Sequence, residues 1–246
     1  MVVATAELRI ARLSAERRFF LGMAIALTGA GLLGFARSFF LRPLFPEWHS
    51  PNESIFYVHG TLFAGWFALL VTQSSLVTGG RIDLHRRFGV LGAGLAASMV
   101  VMGIVSALVA AHRPTGFIDL PVPPLVFLSV PLFDMPTFGV LVALAILKRG
   151  NPQTHKRLIL IASVALVTAA VARWPGLPKN PLVFFGISDL FLLPLVVWDL
   201  RTRGRLHPVT VWAGLWLVIS QPLRLFVGGT AAWLAFAQWA VSFVPS

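Results

Sequence analysis

Seven polar side chains interrupt otherwise apolar sequence: Arg37, His59, Asp134, Arg173, Asp189, Gln221 and Arg224. An ionisable group inside a bilayer-spanning segment costs at least ~2.5–3.5 kcal/mol on insertion scales, so each needs a partner or a task. Brought together, three guanidiniums, two carboxylates and an imidazole would form a polar pocket with surplus positive charge. The planar fork of Arg suits a carboxylate, a phosphate headgroup, a quinone carbonyl or a haem propionate. The alternative is structural. Pairs such as Arg224–Asp189 and Arg173–Asp134 would fix helix packing, and Arg37 and Arg173 would reach for the headgroups.

A second pattern lies on one helix face. His59, Trp66 and Gln73 are spaced seven apart, so they share a stripe. It lines the bundle interior, with His59 as ligand or proton relay, or it hydrogen-bonds between helices. Histidines also permit a redox reading, since bis-imidazole haem b needs two His from facing helices. His59 with His112 would clamp a haem at one face, and His85 with His155 at the other. Against this, His85 and His155 adjoin Arg-Arg and Lys-Arg, as interface residues do, and His112 starts a loop.

The elements that must position these residues are membrane spans. Stretches 19–41, 54–78, 86–111, 122–147, 157–174, 181–200 and 208–227 are apolar and long. A hydrocarbon core of ~30 Å needs about 20 apolar residues in a helix, and in lipid the backbone must bond within its own segment. The expectation is an all-α polytopic bundle of about seven helices over 19–227. A basic cytoplasmic segment, 1–18, precedes it, and its residues 5–18 form an amphipathic surface helix or a frayed tail. An interfacial helix within 228–246 follows a break at Gly228-Gly229, with Trp233 and Trp239 at headgroup level; an eighth short span is the alternative. Gly and Pro clusters separate the spans, from Arg42-Pro43 through Ser50-Pro51 to His207-Pro208.

Charge orients the bundle. The net charge is +11. With a cytoplasmic N-terminus, Arg9, Arg12, Arg17, Arg18, Arg81, Arg86, Arg87, Lys148, Arg149, Lys156, Arg157, Arg201, Arg203 and Arg205 fall on one side. That is 14 of 20 basic residues. The positive-inside rule predicts this for a bacterial inner-membrane protein, whose partner is a bilayer with an anionic cytoplasmic leaflet. A nucleic-acid partner is not expected. Without cysteine, no thiolate ligand or nucleophile exists. There is no HExxH, P-loop or nucleophile elbow, so hydrolytic activity is not expected, and Asp83 reads as a helix cap.

An internal repeat links two stretches. DLHRRFGVLGAG (83–94) aligns with QTHKRLILIASV (153–164), matching His85 to His155 with two basic residues after each. Spans two–three and four–five read as duplicated hairpins in parallel orientation. The pattern His59-x6-Trp66-x6-Gln73, then LHRRFG, then HKRLILIA running to Arg173, resembles a group of bacterial multi-helix membrane proteins that are mostly domains of unknown function. The resemblance covers roughly 55–200, and it implies distant kinship with b-type cytochrome bundles. The leading expectation is binding or passage of a small anionic or amphipathic ligand through a pocket in the half away from the basic side. The alternatives are a haem b electron-transfer protein, an oxidoreductase only if haem binds, and a structural or assembly subunit of a larger membrane complex.

Overall fold

The computed structural model describes residues 2–48, 54–117 and 120–244, with side chains from residue 13 onward. Among them the chain is helical, without strands. Seven helical stretches are long and apolar enough to cross a membrane, which makes this a multi-pass membrane bundle. The helices are α1 Val2–Phe35, α2 Ser54–Thr78, α3 Ile82–His112, α4 Pro124–Phe127, α5 Ser129–Leu147, α6 Pro152–Val171, α7 Pro181–Asp189, α8 Leu193–Arg203, α9 Pro208–Gly228 and α10 Ala231–Val241. The pairs α4–α5 and α7–α8 each make up one broken span.

Local chemistry sets the starts. Asn151, Asn180 and His207 each precede a proline at the first helical position, and each side chain accepts a backbone N–H of the turn it opens. Proline there gives up no needed donor, and the cap satisfies an orphan one. Asp83 is not a cap: α3 begins at Ile82, so its carboxylate lies within the first turn, where the helix dipole favours it. Residues 2–18 are helical. They continue into the first span as one 34-residue helix, about 51 Å long. The turn predicted at Ser50-Pro51 lies outside the described residues.

Packing sorts the helices into two groups. The helices α1, α2, α3, α5 and α6 form a ring, and α7 and α9 pack on the outer side of α6, α9 touching α5 as well. Span five, α6, is therefore enclosed: 72% of it is buried. In lipid, association rests on close packing and polar contacts rather than on a hydrophobic drive. Both occur. Gly34 lets α1 approach so closely that a Cβ there would collide with the Ala170 backbone. Trp66 donates through Nε1 to Ser163 Oγ at 3.1 Å and meets Phe138 edge-on. After Gly228, α10 spans 11 residues, roughly 16 Å, too short to cross. It folds back on α3, α4 and α9. Trp233 is buried there and donates to the Leu125 carbonyl, whereas Trp239 is exposed.

Candidate functional site

Span seven carries the polar centre in the half away from the basic loops. Arg224 is 2% exposed. Its Nη1 pairs with the Asp134 carboxylate of α5, and its Nη2 donates to Ser220 Oγ at 3.0 Å. Asp189, the last residue of α7, faces the Gln221 amide and lies in the field of Arg224. Among the described residues, three atoms of this nest are buried with no hydrogen-bond partner: Arg224 Nε, Gln221 Oε1 and Asp189 Oδ1. Unpartnered buried polar atoms cost about 1–3 kcal/mol each.

Proline shapes each helix that meets there. Pro136 follows Asp134, Pro194 follows Asp189, and Pro222 sits between Gln221 and Arg224. Each lacks the N–H for the carbonyl four residues back and so loosens one turn beside a polar side chain. In span six this turn is a short 3-10 segment, Leu190–Leu192. In span four the helix breaks at Leu128, because Pro131 cannot donate to Phe127.

The remaining predicted residues lie elsewhere. Arg224 pairs with Asp134 rather than Asp189, because α9 packs directly on α5. Arg173 does not reach Asp134: it sits past the end of α6, its Nη1 donating to the Ala169 carbonyl at 2.6 Å, its guanidinium over the Phe35 ring. Arg37 is exposed in a π-turn and lies over Phe45 and Trp48. His59 stacks on Phe63, its Nδ1 meets Ser106 Oγ at 2.8 Å, and it lies in the field of Arg173. So Asp134, Asp189, Gln221 and Arg224 converge, and His59 with Arg173 forms another group across the α5–α6 layer. The stripe of α2 reaches outward at every member: His59 to α3, Trp66 to α6, and Gln73 to the His85 carbonyl at 3.2 Å.

His85 and His155 face each other at the basic end. Their ring centroids are 6.3 Å apart and the planes are nearly perpendicular. The Nδ1 of His155 lies 2.8 Å from the Ala145 carbonyl, so Nδ1 carries the proton and Nε2 the lone pair. Metal-bound histidines are oriented this way. His85 and His155 are the two imidazoles that would hold a haem iron if one were bound at this end. The other candidate, His112, ends α3 six residues, or about 9 Å, beyond the Ser106 that engages His59. Among the described residues no cluster of three or more His, Asp or Glu side chains could hold a free metal ion.

One network at the basic end was not foreseen. Arg157 and Asp199 are both 0% exposed and ion-paired. Asp199 also accepts from Thr210 Oγ1 at 2.6 Å and from the His207 backbone N–H at 3.0 Å. Arg157 Nη1 donates to the Gln153 carbonyl and side chain, and Glu16 holds Lys156 and Gln153. Burial, then the nearby Arg157 and Arg203 charges, pushes the His207 imidazole below its ordinary value. That suits its cap, since Nδ1 must accept from the Val209 N–H. Arg157 read as one more positive-inside residue. The available signal was Asp199 beside Arg201 and Arg203, a carboxylate where only cations were needed.

Comparison with protein-family profiles, with curated proteins and with solved structures finds no match.

Proposed function

We propose that this protein, placed in a bacterial inner membrane with its basic end cytoplasmic, binds a small amphipathic ligand in the nest between α5, α7 and α9. The observation that carries the reading is the trio of buried, unpartnered atoms on Arg224, Gln221 and Asp189. One donor and two acceptors suit an uncharged group whose hydroxyls both donate and accept, as a quinol head group's do. Here one guanidinium stands against two carboxylates, Asp134 and Asp189. An anion would meet net negative charge, so the amphipathic half of the expectation is the better supported. Arg224 Nε would donate to a hydroxyl oxygen of the ligand. Gln221 and Asp189 would accept from its hydroxyl, and Asp134 holds the guanidinium in place.

The test is titration of a short-chain quinol, kept reduced under nitrogen, into protein reconstituted in nanodiscs, read by tryptophan fluorescence. Gln221→Leu should weaken binding about tenfold, the loss of roughly 1.4 kcal/mol, without lowering the melting temperature. Unchanged quinol affinity in Gln221→Leu, or a wild type that binds none, refutes the reading. Arg224→Gln should abolish binding with expression intact; if it abolishes folding alone, the nest is structural.

The facing imidazoles favour a second reading, in which His85 and His155 hold haem b. The haem would supply one-electron transfer. His85 and His155 would hold it, the His155 ring oriented by the contact of its Nδ1 with the Ala145 carbonyl. A Soret band in purified protein, lost in His85→Ala and in His155→Ala, is the expected result, and a featureless visible spectrum after growth with added haem rules it out.

A further inference from the structure

A cavity of about 150 Å³ opens between α1, α6 and α8 at the basic end, roughly tenfold what one water requires. Leu13, Glu16, Gln153, Trp198, Thr202 and Arg203 line it, with Arg157 behind. Its charges are not all spent. Asp199 neutralises Arg157, and Lys156 neutralises Glu16. Arg203 pairs with no carboxylate among the described residues, and its Nε is buried without a partner. Arg201 and Arg205 flank it, both exposed.

Depth and lining narrow the ligand. Leu13 opens the first apolar stretch, Gln153 lies in the first turn of α6, and Thr202 and Arg203 end α8. All therefore sit at one membrane surface, where indoles such as Trp198 are favoured. A guanidinium with no carboxylate partner among the described residues calls for a phosphate oxygen, which Arg binds as a planar fork. The apolar side, Leu13 and Trp198 stacked on Phe19, calls for a ligand with a hydrocarbon part. Basic pockets between helices on the cytoplasmic side bind anionic headgroups in this way.

We propose that this cavity binds the phosphate of an anionic phospholipid from the adjoining leaflet, with Arg203 as its ligating residue. The site is separate from the nest around Arg224 and stands without it. The test reconstitutes wild type, Arg203→Gln and Arg149→Gln in phosphatidylcholine nanodiscs with and without phosphatidylglycerol. Arg149 is an exposed cation at the same end, outside the cavity. Phosphatidylglycerol should raise the melting temperature of wild type and Arg149→Gln, and native mass spectrometry should show one retained phosphatidylglycerol in both. Arg203→Gln should lose both effects. Arg203→Lys, which keeps the charge needed for folding, should bind roughly tenfold more weakly, having lost the fork. Equal responses from Arg203→Gln and Arg149→Gln mean bulk surface charge and overturn the proposal. A shift produced by millimolar inorganic phosphate in phosphatidylcholine alone, and not by phosphatidylglycerol, assigns the cavity to a free anion and overturns the lipid. Full retention by Arg203→Lys removes Arg203 as the ligating fork.

Discussion

Arg87 and Arg157 hold the same place in two helical hairpins, two residues after His85 and His155, yet one is exposed and the other sealed. The hairpins share their register. Their first helices start at Ser54 and Pro124 and their second at Ile82 and Pro152, each pair 70 residues apart. Their surroundings differ. In the first hairpin 11% and 33% of the two spans are buried, in the second 39% and 72%. The cause is spans six and seven, which pack on the second hairpin and bring Asp199, His207 and Thr210 to Arg157. Local sequence thus decides where a helix starts and which residues begin it. Whether its cation meets water or a carboxylate depends on a distant part of the chain.

The sharpest break of this comparison is removal of the partner. Asp199→Ala leaves Arg157 buried and uncompensated, and should cost about 3–5 kcal/mol. Arg87→Ala at the matching position should stay within about 0.5 kcal/mol. Unfolding in mixed micelles measures both, and equal effects would mean that the two hairpins are equivalent after all. Next come two glycines of α1. Gly34 meets the Ala170 backbone of the second hairpin, so Gly34→Ala should cost about 1–3 kcal/mol. Gly31 has only the Phe67 ring at 3.8 Å, from the first hairpin, and Gly31→Ala should be close to neutral by the same assay. A smaller effect belongs to the bond that ties the hairpins together. Trp66→Phe removes the donor to Ser163, which still bonds the Ile159 carbonyl, and should cost about 1 kcal/mol.

The smallest effect is one of pH. His207 is depressed in the folded protein, so the unfolded chain binds its proton first on acidification. The stability it supports is intact above an ordinary histidine value of about 6.5 and falls as pH drops through the lower folded value. A denaturation series from neutral to mildly acid pH should show this decline. His207→Asn, which keeps a capping oxygen without titrating, should flatten it.

Much of the architecture was legible in the residues. The spans followed from apolar length, and the α9–α10 break from Gly228-Gly229. The starts at Pro152, Pro181 and Pro208 each fall on a proline within a predicted break. The repeat, seen first in two His-basic starts, extends to element boundaries. The candidate site was legible only as a collection of residues. Arg224, Asp134, Asp189 and Gln221 each stood out by polarity in apolar sequence, but their pairing depends on which helix faces which. Sequence periodicity does not carry that across loops. Hence Arg224 met Asp134 instead of Asp189, and Arg173 stayed at the rim with Phe35. Pro194 and Pro222 were unused signals, each within five residues of a polar group in the nest.

The enclosure of α6 bears on how the chain is made. Synthesis runs from the N-terminus, so span five enters the bilayer before Asp199, Thr210 and the cap at His207 exist. Until then Arg157 is a cation with no counter-ion at the edge of hydrocarbon. The insertion machinery must keep that helix shallow, with its guanidinium in the headgroup water, until the next two helices emerge and draw it in. Truncation after the fifth span should therefore leave a chain that proteases added on the side of the basic loops can reach, and restoring the last two spans should protect it.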